Sequence, residues 1–302
     1  MPIQPLLDDE LPPLYRTASA SSLEAQRRFL STTKARLFLL TAAAAFGLFT
    51  WKFRQSPTDW AGVLASGCFG ITLILEIYLL TSKPDRTWYE GRAAAESAKT
   101  LSWRYAVGGL PFGVANGRAD RDTDELFLAQ LKDLLVVLKD LDVTALQVAG
   151  QQITPQMREA RSAPLEDRKA IYEKYRVADQ QAWYAQKASW NQRRARRWAT
   201  GMVIVESAGL FAGILKAIGL LPGDFLGLAG ATVATMTAWL QTKQHRELAT
   251  AYTVTALELA SVRSKIPHQT NDADWSTFVS DAEEAFSREH TLWKASRGVH
   301  SL

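Results

Sequence analysis

The chain has 302 residues, enough for two domains, with 35 Lys and Arg against 31 Asp and Glu. Its one cysteine, Cys68, excludes an intrachain disulfide and so a disulfide-stapled extracellular scaffold. The excess of four basic residues would suit nucleic acid in a soluble protein, but most Lys and Arg flank apolar runs. Membrane topology accounts for them, and no DNA or RNA partner is expected.

Residues 1–20 carry Pro2, Pro5, Pro12 and Pro13 and no basic region ahead of an apolar one. They predict a flexible, extended segment and not a cleaved signal peptide. Ser21 or Ser22 can cap a helix that starts at Leu23, passes Arg27, Arg28, Lys34 and Arg36, and enters an apolar run over 37–51. Lys34, Arg36 and Lys52 can snorkel and Trp51 suits an interface, so a first transmembrane helix is predicted over about 37–53.

Residues 60–82 are the strongest signal: 23 residues whose single charge is Glu76. About 20 apolar residues cross the ~30 Å hydrocarbon core. The ten Val, Leu, Ile and Phe of this stretch contribute roughly −3 to −6 kcal/mol of insertion free energy. A central acid costs about 2.5–3.5 kcal/mol, so the segment inserts despite its carboxylate.

A second pair follows. Residues 198–221 are apolar except for Glu206 and Lys216, Pro222-Gly223-Asp224 makes a turn, and 225–242 carries no charge. Four spans in two hairpins result. Arg27, Arg28, Lys34, Arg36, Lys83, Arg86, Arg193, Arg194, Arg196, Arg197, Lys243 and Arg246 fall on one side of them, and only Lys52, Arg54 and Lys216 on the other. The positive-inside rule puts both termini and the middle segment of a multi-pass membrane protein in the cytoplasm.

Between the hairpins, Phe127, Leu131, Leu134, Leu138 and Leu141, extended by Ala145 and Val148, recur at a coiled-coil period. This seam either bridges subunits or forms a bundle core. Thr154 and Pro155 predict an N-cap and first helical position, and a second stripe runs Ile171, Tyr175, Ala178, Ala182, Ala185, Ser189. A helix is expected over 243–265 and another from about 271–274 to Gly298. No strand alternation is present. The fold class is an all-α integral membrane protein with cytoplasmic helical bundle or coiled-coil segments, divided as 21–152 and 153–302.

Several residues resemble a known family in their order around the hairpins. Pro13-Leu14-Tyr15-Arg16, Ala18, Ser21, Gln26 and Arg28 precede the first. Trp88-Tyr89, Arg92, Ala95-Glu96, Lys99, Trp103-Arg104-Tyr105 and Pro111-Phe112 follow it. Arg176, Asp179, Trp183-Tyr184, Lys187-Ala188 and Arg194-Ala195 precede the second, and Ser287-Arg288-Glu289-His290 with Trp293 close it. The chain is thus similar to two tandem SLATT domains, a bacterial two-transmembrane family named for association with SMODS nucleotide synthases and SLOG nucleotide-sensing domains. The resemblance implies a membrane effector of anti-phage conflict systems that forms pores once a sensor fires. It departs from the family pattern in having no attached sensor.

Glu76 and Glu206 lie about 10 and 13 Å from the cytoplasmic boundary at 1.5 Å per residue. They either ring a cation pore or lock helix packing through a Thr, Ser or snorkelling Arg. The small-residue ladders Gly62, Ser66, Gly70; Gly209, Gly213, Ala217; and Gly227, Ala231, Thr235 serve packing within each hairpin or an oligomer seam. Arg193, Arg194, Arg196 and Arg197 face either anionic lipid or a nucleotide phosphate. Phosphate-loop and nucleophile-elbow motifs are missing, and His245, His268, His290 and His300 lack metal-ligand spacing. The expectation is therefore no enzyme, no metal and no cofactor. The leading function is a homo-oligomeric pore or ion channel in the bilayer, gated by a nucleotide second messenger or a cytoplasmic sensor protein. The alternative is a non-conducting scaffold that recruits a cytosolic partner through the seam. A transporter ranks third, for want of Gly/Pro-interrupted half-helices.

Overall fold

Proline, glycine and two left-handed residues punctuate a chain that is otherwise helical. The structure, a computed structural model, describes residues 6–53, 57–114, 119–138 and 150–296. Among them run α1 (Pro13–Phe46), α2 (Trp60–Ser82), α3 (Pro84–Val107), α4 (Asp120–Leu138), α5 (Pro155–Ser162), α6 (Leu165–Tyr172), α7 (Asp179–Ala217), α8 (Phe225–Lys243), α9 (His245–Lys265) and α10 (Asp272–Ser296). A π-helical segment, Glu173–Ala178, joins α6 to α7. The expected all-α class holds for the described residues, which contain no strand beyond an isolated bridge between Lys52 and Asp59. Two compact units form. The first comprises Met1–Ala25, Asp85–Ala188 and Thr250–Leu302, the second Gln26–Pro84 and Ser189–Ala249. Each draws on segments before and after residue 152.

The first unit is built on aromatic rings. Trp103, Tyr172 and Trp275 are fully buried and meet edge to face, with centroids 5.9 and 5.6 Å apart. The Trp275 indole donates to the Val107 carbonyl at 2.7 Å. That carbonyl closes α3, where Gly108 is left-handed (φ 78°) and the Gly109 amide reaches back to the Arg104 carbonyl at 2.7 Å. This is a Schellman ending. A Cβ on Gly108 would also lie 2.7 Å from an Arg168 nitrogen, so glycine is required twice over.

Three sequence expectations change here. The segment ahead of residue 20 is not extended throughout: α1 starts at Pro13, and Leu6, Leu11 and Leu14 are buried in the core. Pro13 suits the first helical turn because it lacks the amide that would be unsatisfied there. Asp8 fastens the segment, accepting from the Tyr15 hydroxyl at 2.7 Å and from Lys99 at 2.5 Å. Burial alone would raise the Asp8 pKa, but the Lys99 ammonium holds the carboxyl below its ordinary range. Ser22 accordingly caps nothing; its hydroxyl donates to the Trp88 carbonyl at 3.0 Å.

The stripe expected along 171–189 is displaced as well. Ile171 is buried, but Ala182, Ala185 and Ser189 are exposed while Val177, Tyr184 and Ala188 are buried. The wider π turn at Glu173–Ala178 rotates the face that follows it. Of the seam from 127 to 148, Phe127 and Leu131 are buried in this unit's own core and Leu134 packs against it. The Leu138 side chain, Leu141, Ala145 and Val148 lie outside the described residues, as do the side chains of Ser287, Arg288, Glu289, His290 and Trp293. Elsewhere the expected punctuation is present. The Thr154 hydroxyl accepts from the Met157 amide at 3.3 Å, and the Asn271 carboxamide oxygen from Ala273 and Asp274 at 3.1 and 2.9 Å.

The second unit reverses the pattern. α2 and α7 are long and apolar enough to cross a membrane, yet only 6% of the most apolar window of each is buried. Leu73 and Ile74 on α2 are 61% and 65% exposed, Leu210 and Phe211 on α7 64% and 63%. α1 is shorter than expected and ends at Phe46 instead of running on to residue 53. Gly47 follows, and the chain turns so that the Trp51 amide donates to Asp59 at 2.9 Å while the same carboxylate caps α2 at Ala61. Arg54, placed in this loop, lies outside the described residues. The helical apolar part of α1, 37–46, is therefore only about 15 Å long. α8 carries Thr232, Thr235, Thr237 and Thr242, each donating to the carbonyl four residues earlier at 2.8–2.9 Å.

The helix after the second apolar run is also not continuous with it. α2 stops at Lys83, left-handed at φ 41°, before Pro84 opens α3. α8 stops in the same way at Gln244, φ 48°, before α9.

Candidate functional site

Of the two acids on the apolar helices, only Glu76 forms an ion pair among the described residues. Glu76 on α2 forms an ion pair with Arg36 on α1, both side chains about one-third exposed (38% and 30%). Glu206 on α7 is exposed beside Val203 and Leu210 and forms no ion pair among the described residues. The first arrangement matches the packing alternative; the second leaves a carboxylate on an apolar face.

The glycine ladders divide likewise. A Cβ on Gly209 would stand 2.5 Å from the Ala229 Cβ, and one on Gly213 3.2 Å from Leu226, so this ladder brings α7 and α8 into contact. Gly62, Ser66 and Gly70 are exposed, and a Cβ on Gly70 would meet nothing within 4 Å. A Cβ on Gly227 would first meet the Asp224 side chain, and Ala231 is half-buried, its carbonyl accepting from Thr235. The Thr41 and Thr235 hydroxyl oxygens, 3.1 Å apart, add a polar contact between α1 and α8.

Arg193, Arg194, Arg196 and Arg197 are all exposed. Arg194 differs in lying over the Trp190 ring, 5.1 Å from its centroid, where both line a cavity of about 480 Å³. Lys34 and Lys243 line the cavity too, Lys243 being 5.8 Å from the Trp239 ring. His245 closes one wall. Its Nδ1 lies 2.7 Å from the Asn191 carboxamide oxygen, and its ring meets Trp190 edge-on at 5.6 Å. Burial first, then the Lys243 and Arg194 charges, lower the His245 pKa and favour the neutral imidazole.

The comparisons divide the chain between two relatives of one kind. Residues 12–169 match SMODS and SLOG-associating 2TM effector domain 3, and residues 172–293 match SMODS and SLOG-associating 2TM effector domain 1. The chain belongs to the SLATT family. It carries two SLATT domains in tandem, as the residues around the hairpins suggested. The first SLATT domain contains α1 and α2, the second α7 and α8. The chain has no match among curated proteins or solved structures.

Within the second SLATT domain lies a cluster that the sequence reading missed. Arg176 and Glu283 are 1% and 0% exposed and form a bidentate pair, Nε to Oε1 at 2.9 Å and Nη2 to Oε2 at 2.7 Å. The Tyr172 hydroxyl donates to Oε1 at 2.9 Å. Burial and then Glu283 push the Tyr172 pKa well above its ordinary value, so the phenol keeps its proton. Burial disfavours charge on Arg176, but Glu283 outweighs it and the guanidinium stays protonated. The signal was present in the sequence: Glu283 falls between Val279, Ala282 and Phe286 on the buried stripe of α10, and Arg176 one turn beyond Tyr172. A charge inside an apolar period is the mark of a buried pair.

Proposed function

We propose that this SLATT chain is a membrane effector of a bacterial conflict system that crosses the cytoplasmic membrane four times, both termini inside, and opens as a homo-oligomeric pore. The observation that carries this reading is the outward-facing apolar surface of α2 and α7, 6% buried in their most apolar windows. A core helix of a soluble protein would be covered by its neighbours; these faces suit hydrocarbon. The i−4 hydrogen bonds of the α8 threonines would satisfy its hydroxyls in lipid. α1 would complete its crossing with the turn at 47–53 and Trp51 at the interface.

Glu206 supports the oligomer. An acid at mid-helix costs about 2.5–3.5 kcal/mol in lipid, and nothing within the protomer pairs with it among the described residues. Facing a water-filled lumen shared by several subunits would remove that cost and make the pore cation-selective. Glu76, neutralised by Arg36, would hold α1 to α2. The open ladder Gly62, Ser66, Gly70 offers the neighbouring subunit a close approach. A nucleotide second messenger or cytoplasmic sensor protein would open the pore by binding the conducting packing more tightly than the closed one. The described part of the seam gives the scaffold alternative no support, because Phe127 and Leu131 are buried in the protomer's own core.

The test is reconstitution of the full chain in liposomes. It should float with the vesicles and release a small cationic dye, and Glu206→Gln should reduce cation over anion permeability severalfold. Glu76→Gln should leave the selectivity unchanged. Protein recovered in the soluble fraction, or tight vesicles across all candidate signals, would reject the reading.

A further inference from the structure

The cavity in the second unit has a division of surfaces that a mere basic flank does not need. Three cations line it, Lys34, Arg194 and Lys243; no carboxylate does, and Lys34 and Arg194 have no ion pair among the described residues. Indole rings of Trp190, Trp198 and Trp239 form the walls, two of them already carrying a cation on their faces. Leu37 and Phe38, about one turn after Lys34 on α1, and Met236, about two turns before Lys243 on α8, add an apolar lining. His245, tied to Asn191, adds a polar edge. At about 480 Å³ the space falls within the ordinary range for small-molecule sites.

Each surface has a chemical counterpart. Positive groups on a cavity that no carboxylate lines suit an anion, and phosphate oxygens satisfy both ammonium and guanidinium donors. The apolar lining favours an alkyl chain, which a free nucleotide or inorganic phosphate lacks. Tryptophan walls suit the ester and glycerol level between the two, where indole rings settle in bilayers. We propose that this cavity is a binding site for one anionic glycerophospholipid, its phosphate held by Lys34, Arg194 and Lys243 and one acyl chain laid along Leu37, Phe38 and Met236. Basic pockets between helices on the cytoplasmic side of a membrane are suited to such headgroups. The site rests on the membrane reading above but not on conduction.

The full chain in detergent is exchanged into phosphatidylglycerol or phosphatidylcholine of matched acyl chains, and retained lipid is measured by native mass spectrometry. Phosphatidylglycerol should be retained in preference, and inorganic phosphate or ATP in excess should not displace it. Each of Lys34→Gln, Arg194→Gln and Lys243→Gln should lower retention about fivefold, and the triple variant about a hundredfold, at roughly one charge contact each. Arg193→Gln and Arg197→Gln, exposed and outside the cavity, should change it little. A melting curve in detergent without added lipid confirms that each variant folds. Equal retention of the two lipids, full retention by a folded triple variant, or ready displacement by phosphate would overturn the proposal. Failure of the membrane reading is distinguished by flotation: a chain that does not float with vesicles refutes both, while one that floats without lipid preference refutes the site alone.

Discussion

The two units solve the placement of charge in opposite ways. In the first, ionic groups are inside and paired: Arg176 and Glu283 are buried among Tyr172, Phe286 and Thr100. In the second, large apolar side chains are outside and Glu206 stands among them without an ion pair in the described residues. The first unit is held by aromatic burial, the ordinary hydrophobic effect. Its helices would fall apart without their core. The second unit buries little, so its helices must associate through other contacts: Gly209 against Ala229, Gly213 against Leu226, the paired hydroxyls of Thr41 and Thr235, and the Arg36–Glu76 ion pair. Those are the contacts available where the surroundings are as apolar as the side chains. One chain thus carries two rules of assembly, the second suited to the membrane placement proposed above.

The largest effect expected comes from breaking the buried pair. Glu283→Ala leaves a guanidinium uncompensated in the core and should cost about 3–5 kcal/mol of stability, read by chemical unfolding of the full chain with near-ultraviolet circular dichroism. The double variant Arg176→Met, Glu283→Leu should recover much of the loss, since apolar replacement of both partners removes the unpaired charge. If Glu283→Ala is silent, the first unit does not depend on its internal charges and the contrast weakens. Next comes the glycine pair that separates the hairpins. Gly209→Val, forced against Ala229 at 2.5 Å, should cost about 1–3 kcal/mol. An added Cβ at Gly70 meets nothing within 4 Å in the protomer, so Gly70→Val should leave protomer unfolding unchanged and lower the oligomer fraction in cross-linking.

Helix content, the hairpin turn at 222–224, the cap at Thr154 and the start of α10 near Asn271 were legible because they depend on local chemistry. The start of α1 was not. Pro12-Pro13 reads equally as an extended segment or as a helix start, and only the burial of Leu6, Leu11 and Leu14 by distant residues decides. The stripe after Tyr172 misled because a fixed period assumes an uninterrupted α-helix, and the π turn shifts it. Glu76 and Glu206 were visible as anomalies, but their difference depends on Arg36, which approaches from another helix. The lipid-shaped cavity draws on residues 34, 194 and 243, each readable as a flanking cation, whose convergence no spacing reveals.

A smaller effect is expected where the hairpins end. Lys83 and Gln244 both hold left-handed backbone at the close of the returning helix, φ 41° and 48°. Such a conformation costs a residue with a Cβ about 1 kcal/mol. Lys83→Gly and Gln244→Gly should each raise the unfolding free energy by about that much, less the greater freedom glycine gives the unfolded chain. Destabilisation instead would mean that the side chains contribute more than the strain costs.

The smallest effect sharpens the contrast at its most polar point in the second unit. His245 faces Arg194 from α7, Lys243 at the end of α8 and Lys34 across the cavity from α1, with Glu247 on its own helix the only acid among the groups acting on it. Its folded pKa lies below the ordinary 6.5, so the unfolded chain binds a proton first as pH falls. Stability from the neutral ring is therefore complete above about pH 6.5 and is lost as pH drops toward the folded value. Chemical unfolding at pH 7.5 and in steps below 6.5 should show this decline, and His245→Gln should flatten it. Anionic lipid in the cavity would offset Lys243 and Arg194 and bring the folded pKa back toward 6.5, so phosphatidylglycerol should make the decline smaller in the wild-type protein. A decline that ignores both the substitution and the lipid would show that the histidine does not sense those cations.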